Sequence, residues 1–392
     1  MDSLSELSLK ENKFCSIPAY LATISTLKNM SLSKNRLTVL PDHFFSMTSM
    51  EQLDFSRNQL VDLNEPFQWM SLTKLVHLSI SFNNITNLDP IGQCTSLIYL
   101  DASNNVLTSL PPSFSRSIRL RVLNLSSNSL RYFPFNLMTS LRFLKTLNLS
   151  NNLIAFFPEA VCNLRSLQFL DISHNKLTRL PETLGYCPTL IEINASNNFC
   201  TEIPESIGKS LTIETLKLRN NALSSLPNMR QCLSLKTLDI SHNEFTELPV
   251  VLKECNSLTE LNLQNNKLVR ISASVAQIKK LKILDLSNNK SLEDLPMTLM
   301  YLDSLTDLNV SGCVKLKNPP PEIVKQGTQA ILKFLSQLID GSEPIYSMKV
   351  LVVGYENVGK TSLIRSLSKK WKKVGENENT NNTIDLSGLS TD

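Results

Sequence analysis

No apolar run in this chain of 392 residues approaches the ~18 residues needed to cross a bilayer. No charged-then-apolar leader precedes the first periodic segment, which is under way at Leu4, so neither a transmembrane helix nor a secretory signal is expected. Neither sign of charge dominates: 39 Lys and Arg against 35 Asp and Glu leave a net +4. Spread over so long a chain, that charge makes no case for a nucleic-acid or anionic-membrane partner. A paired cysteine framework is missing too. Cys94, Cys187, Cys232 and Cys255 each stand three residues before a Leu (Leu97, Leu190, Leu235, Leu258), and Cys200 takes an apolar site. These are core positions, without clusters at either end, so reduced thiols and a cytoplasmic location are expected. His174 and His242 are far apart in sequence, which argues against a metal site. What remains, 42% hydrophobic and 19% charged residues, is a globular composition.

The most informative stretch is 167–181, which reads L-x-x-L-x-L-x-x-N-x-L-x-x-L-P. Leu167, Leu170, Ile172, Leu177 and Leu180 follow neither a helical period of 3.6 nor a strand period of 2 over the whole length. A short strand followed by a tight inward turn produces that spacing, and the pattern is that of a leucine-rich repeat. The ninth position is Asn at 12, 35, 58, 83, 105, 128, 152, 175, 198, 221, 243, 266 and 289, and Cys at 313. Fourteen coils, 22 to 25 residues apart, are implied. An Asn amide both donates and accepts, so a ladder of them can satisfy backbone groups that the bend buries between stacked coils.

Most coils carry Leu-Pro or an equivalent after the Asn, as at Leu40-Pro41, Leu110-Pro111, Phe133-Pro134 and Leu180-Pro181. Proline suits the start of a short helical or 3₁₀ turn on the outer face. The coil between Asn58 and Asn83 is two residues longer and lacks Leu-Pro, so a small outward bulge is expected near 64–70. The turns after Asn289 and Cys313 each carry one extra residue, which predicts loosening of the coil. Pro319, Pro320 and Pro321 then stop it, and Ile331, Phe334, Leu335, Leu338 and Ile339 follow helical spacing up to Gly341. That helix should cover the last coil.

Strands at ~4.8 Å spacing would make an inner parallel sheet on the order of 65 Å long. Its exposed columns are read as Asp101, Asn124, Asn148, Asp171, Asn194, Asp239, Asn262 and Asp285, and as Ser103, Ser126, Ser150, Ser173, Ser196, Ser241 and Ser287. Two roles stay open for this bland polar surface. It either solvates the strands or binds a protein partner, with hot spots at Phe82, Tyr99, Phe169, His174, Arg219 and His242.

A different pattern follows. Met348, Val350, Leu351, Val352 and Val353 suit a buried parallel strand. It leads into Gly354, Tyr355, Glu356, Asn357, Val358, Gly359, Lys360 and Thr361, which fit G-x-x-x-x-G-K-[ST], and then into a plausible helix from Ser362 to Lys373. The two glycines let successive N–H groups curl toward phosphate oxygens, the helix N-terminus adds positive potential, Lys360 reaches the β and γ phosphates, and the Thr361 hydroxyl can ligate Mg²⁺. Lys369, Lys370, Lys372 and Lys373 around Trp371 read as the solvated face of that helix.

Repeats of Leu-Pro type, the Pro-rich stop, the helix near 327–338 and the run Tyr-Ser-Met-Lys-Val-Leu-Val-Val-Gly-Tyr-Glu-Asn-Val-Gly-Lys-Thr-Ser-Leu together resemble the Roco family, in which repeats precede a Ras-like GTPase domain called Roc. The resemblance implies an α/β chain in three parts: a solenoid over 1–320, a capping or linker helix over 321–341, and the N-terminal part of a Roc domain over 342–392. It implies GTP or GDP with Mg as ligands, a downstream domain through which a homodimer forms, and often a Ser/Thr kinase beyond. Roc domains carry Ser-Thr-x-Gly-Ile as their first switch, so Thr391 resembles the switch Thr; an Asn-rich polar tail is the other reading of that stretch. No D-x-x-G or N-K-x-D element follows, and Glu356 stands where many Ras-like loops have Gly. These residues alone are therefore expected to turn over little or no GTP. A repeat scaffold of the Ras-binding type, without enzymatic activity, is the competing reading.

Overall fold

A computed structural model of the chain describes residues 3–339. Fourteen strands of three residues each, from β1 (Glu6–Ser8) to β14 (Asp307–Asn309), pair in strict sequence order in one parallel sheet. Coils are numbered here by the strand each contains. Register repeats without slippage, so that His77 pairs with Tyr99 and Thr146 with Phe169. The central residue of every strand after β1, Leu170 for example, is buried in the core, and Leu7 of β1 is partly buried against it.

The Asn ladder is the device that lets the bends stack. Asn175 Nδ2 donates to Ile172 O at 3.1 Å in its own coil and to Leu149 O at 2.9 Å in the coil before, while its Oδ1 accepts from Ile154 N at 3.0 Å. The same three partners recur at Asn58, Asn105, Asn198 and Asn266, among others. At the coil 14 bend Cys313 Sγ donates to Leu286 O at 3.2 Å. Cys94, Cys187, Cys200, Cys232, Cys255 and Cys313 are all buried, as core positions require.

On the outer face 3₁₀ turns follow Pro41, Pro111, Pro158, Pro249 and Pro296, and α2 (Phe135–Ser140) follows Pro134. The long coil winds a short helix at its outer turn, with Phe67 and Met70 exposed and Trp69 buried. Its two added residues complete α1 (Pro66–Trp69), closed by a capping box between Glu65 and Gln68. This turn drives Trp69 fully inside, where its Nε1 donates to Leu63 O at 2.6 Å and its rings meet Phe45 at 5.6 Å and Phe44 at 6.4 Å.

The expected loosening near the end is absent. β13 (Ile283–Asp285) and β14 keep register, and isolated bridges tie Asp294 to both Arg270 and Asn318. The single helix expected after the prolines is two, α3 (Pro321–Val324) and α4 (Thr328–Ile339), parted by Gly327 at φ +89°. A positive φ terminates the first helix and only glycine takes it without strain. Ile331, Phe334 and Leu335 then bury against the last coil, and Thr328 Oγ1 accepts the edge amide of Leu308 at 2.8 Å.

Candidate protein-binding face

The inner sheet face is built from strand residues one and three plus the residue just before each ladder Asn. That last residue is left-handed in almost every coil, with φ between 52° and 60° from Glu11 and Lys34 through Asn104 and His174 to Asn288. Asn tolerates this region best among residues with a Cβ, so Phe82, His174 and His242 occupy sites where local preference favours Asn.

The acidic and amide column has a structural role. Asp101 Oδ1 accepts from Ser103 N at 3.1 Å and Asp171 Oδ1 from Ser173 N at 2.9 Å, an Asx turn repeated at Asp54, Asn124, Asn148, Asp239 and Asp285. The turn folds the serines into the bend. Ser103, Ser150, Ser173, Ser196, Ser241 and Ser287 are consequently buried, and the expectation of an exposed serine column is corrected for these six; Ser126 alone of the column is half-buried. Neighbouring members of the first column also bond to one another, as Asn194 Nδ2 does to Asp171 Oδ2 at 3.2 Å.

The six residues singled out from the sequence fall into three groups. Phe82 and Tyr99 share the first, over coils 3 to 5, together with two residues that sequence reasoning missed. His77 in β4 (His77–Ser79) stacks on Tyr99 in β5 (Tyr99–Asp101), with centroids 4.0 Å apart and planes 3° from parallel. At the bends of coils 3 and 4 the Arg57 guanidinium lies 4.1 Å over the Phe82 ring. Burial holds His77 below its ordinary value of 6.5, against the opposing pull of Asp54 and Asp101, and burial first, then Asp101 and Asp54, raises the Tyr99 phenol. A neutral imidazole therefore caps the stack at neutral pH. His77 and Tyr99 form one end of a groove of about 720 Å³ over coils 1 to 5, also lined by Asn29, Gln52, Asp54 and Asp101. Adjacent aromatics in one register column were a legible signal: His77 and Tyr99 fall at the same place in consecutive repeats.

The second group is Phe169 and His174 on coil 8. Phe169 stands 41% exposed beside a smaller groove of about 290 Å³, and His174 Nε2 meets Asn197 Nδ2 at 3.0 Å. The third is Arg219 and His242, on coils 10 and 11. Arg219 Nη1 donates to Ser241 Oγ at 3.3 Å, and desolvation followed by the Arg219 charge lowers His242. Among the described residues, no three His, Cys, Asp or Glu side chains gather to hold a metal, and no helix is long and apolar enough to cross a membrane. Gly354, Tyr355, Glu356, Asn357, Val358, Gly359, Lys360, Thr361, Ser362 and Thr391, and the boundary expected at 342, lie outside the described residues.

Comparison with known families supports this architecture along most of the described length. The description "Leucine-rich repeat region" matches residues 93–229, "Leucine rich repeat" matches 25–85 and 256–314, and a further single repeat matches 234–255. The fold is a leucine-rich-repeat solenoid. Among solved structures, the leucine-rich-repeat protein LIC12759 of Leptospira interrogans superposes with a TM-score of 0.76 at 28% identity, over 83% of this chain and 82% of that one. Among curated proteins, the probable serine/threonine-protein kinase pats1 of Dictyostelium discoideum is 47% identical over 83 residues, 21% of this chain. The probable serine/threonine-protein kinase roco8 of the same organism is 36% identical over 58 residues, 15% of this chain. Each match spans 3% of the length of the kinase concerned. Leucine-rich-repeat solenoids of this kind are protein-interaction scaffolds, and the sheet face with its ring cluster is the surface suited to that task.

Proposed function

We propose that this chain is the repeat scaffold of a Roc-type, GTP-binding signalling protein. Its inner sheet face takes a protein partner, and residues 354–362 take the phosphates of GTP or GDP, with Thr361 and Thr391 serving Mg²⁺. The observation that carries the scaffold part is the His77–Tyr99 stack at the end of the groove over coils 1 to 5, with the Arg57–Phe82 pair on coils 3 and 4, on a sheet face whose polar columns largely bond to one another. Rigid aromatics and Arg supply most binding energy at protein interfaces, while a polar surround with its hydrogen bonds already made contributes little. The nucleotide part rests on the G-x-x-x-x-G-K-[ST] run ending at Thr361 and on the likeness to the two Dictyostelium kinases.

Titration of the full-length gene product with a fluorescent GDP analogue and Mg²⁺ tests the nucleotide part. Saturable binding that disappears in Lys360→Ala is expected, and a wild-type product that binds no guanine nucleotide rejects it. The competing reading, a scaffold without enzymatic activity, predicts a partner retained by Lys360→Ala. On either reading Tyr99→Ala weakens partner binding by roughly tenfold or more, the usual consequence of truncating an anchor ring; unchanged affinity would remove coils 3 to 5 from the interface.

A further inference from the structure

Six of the eight thiols donate to a backbone carbonyl and to no other sulfur: Cys15 to Lys13 O, Cys94 to Trp69 O, Cys200 to Leu177 O, Cys232 to Ile207 O, Cys255 to Met229 O and Cys313 to Leu286 O. Cys162 and Cys187 differ. Their sulfurs lie 2.7 Å apart across adjacent coils, 25 positions apart in sequence. Cys162 sits in the 3₁₀ turn Glu159–Asn163, and Cys187 follows the 3₁₀ turn Leu184–Tyr186. Thr183 holds the two turns together, its Oγ1 donating to Glu159 O and its N to Glu159 Oε2 at 3.3 Å. A sulfur–sulfur bond measures about 2.05 Å, and at 2.7 Å the two sulfurs are already in contact.

The two thiols are not equivalent. Cys162 is half-buried and within reach of a small solute, whereas Cys187 is buried. We propose that Cys162 and Cys187 form a reversible disulfide that staples the outer turns of coils 7 and 8, with Cys162 attacking a hydroperoxide and Cys187 resolving the product. The Cys162 thiol gives up its proton, the thiolate attacks one peroxide oxygen, the O–O bond breaks, and the leaving hydroxide takes up that proton as water; Cys162 is now a sulfenic acid. The Cys187 sulfur then attacks the Cys162 sulfur, its proton leaves with the sulfenic oxygen as water, and the S–S bond forms. Two thiols and one hydrogen peroxide thus give one disulfide and two waters. The hydrogen bond from the Cys187 thiol holds Cys162 below its ordinary value of 9.0, while Cys187 is raised by that bond and by burial. The attacking sulfur is therefore the one that ionises more readily.

The test uses the full chain carrying Cys15→Ser, so that the exposed thiol cannot link two molecules. The protein is treated with stoichiometric hydrogen peroxide, blocked with N-ethylmaleimide and digested without reductant. One peptide pair joined through Cys162 and Cys187, lighter by two hydrogens and separated again by dithiothreitol, is expected. Oxidation should also raise Tm by several degrees, since the crosslink restricts the unfolded chain. In Cys187→Ser, Cys162 should accumulate as a dimedone-reactive sulfenic acid; in Cys162→Ser, Cys187 should stay reduced. Alkylation of Cys162 undiminished by peroxide, or its oxidation to sulfinic acid without a crosslink while Cys187 is present, overturns the proposal.

Discussion

The amide of Asn175 binds four backbone groups in two coils, all out of water: Ile154 N, Leu149 O, Ile172 O and Ser173 O. Asn175→Ala leaves the Ile154 N–H and the Leu149, Ile172 and Ser173 carbonyls without those bonds, at a cost of about 2–4 kcal/mol. Urea denaturation with an unchanged m-value should record that loss; a loss below about 0.5 kcal/mol would mean that water replaces the amide. His77 gives a pH dependence of known sign. Its folded value is depressed below 6.5, so the folded chain takes up this proton less readily than the unfolded one. The stability it contributes is complete above 6.5 and is lost as pH falls through the lower, folded value. Urea midpoints taken from about pH 7.5 to about pH 5 should therefore fall more steeply for wild type than for His77→Gln. Parallel curves would show the imidazole to be solvated.

At the scale of single elements, α1 shows how a local insertion is absorbed. The capping box of Glu65 and Gln68 completes an α-turn, and the turn aims Trp69 at Phe44 and Phe45. Trp69→Ala should cost about 3–5 kcal/mol, the range for emptying a large aromatic site in a packed core. The Leu63 carbonyl would also lose its indole partner. Calorimetry on the variant checks this, and a drop in Tm of under about 2 °C would mean that coils 2 and 3 collapse to fill the space. The length anomaly between Asn58 and Asn83 was visible in the sequence, but the helix it winds was not. Whether two extra residues loop out or wind a short helix depends on the space that Phe44 and Phe45 leave in the preceding coil.

For the whole solenoid each coil contacts its neighbours, so the ends decide how cooperative the array is. At the C-terminal end of the described sheet, α4 covers the apolar edge with Ile331, Phe334 and Leu335, and Thr328 accepts the Leu308 amide. Thr328→Val keeps the shape and removes the acceptor, which should cost about 1–2 kcal/mol. Hydrogen exchange should quicken at Leu308 before it does at Leu170, five or more coils away. Equal acceleration at both would show that the solenoid opens as one unit and that its end is not the weak point.

Repeat number, strand register, the buried ladder and the thiols that fill core sites were all legible in the sequence, because each is set by residues recurring at a fixed place in every coil. Phe82 and Tyr99 were legible in the same way. Only the tertiary structure decided that the serines turn inward behind their Asx turns and that Cys162 meets Cys187. The last pair shows the reason most plainly. Cys162 lies ten residues after its ladder Asn and Cys187 twelve after its own, so no single column of the repeat contains both. Their meeting depends on how two outer turns of different length and pitch lie side by side, and that follows from packing between coils.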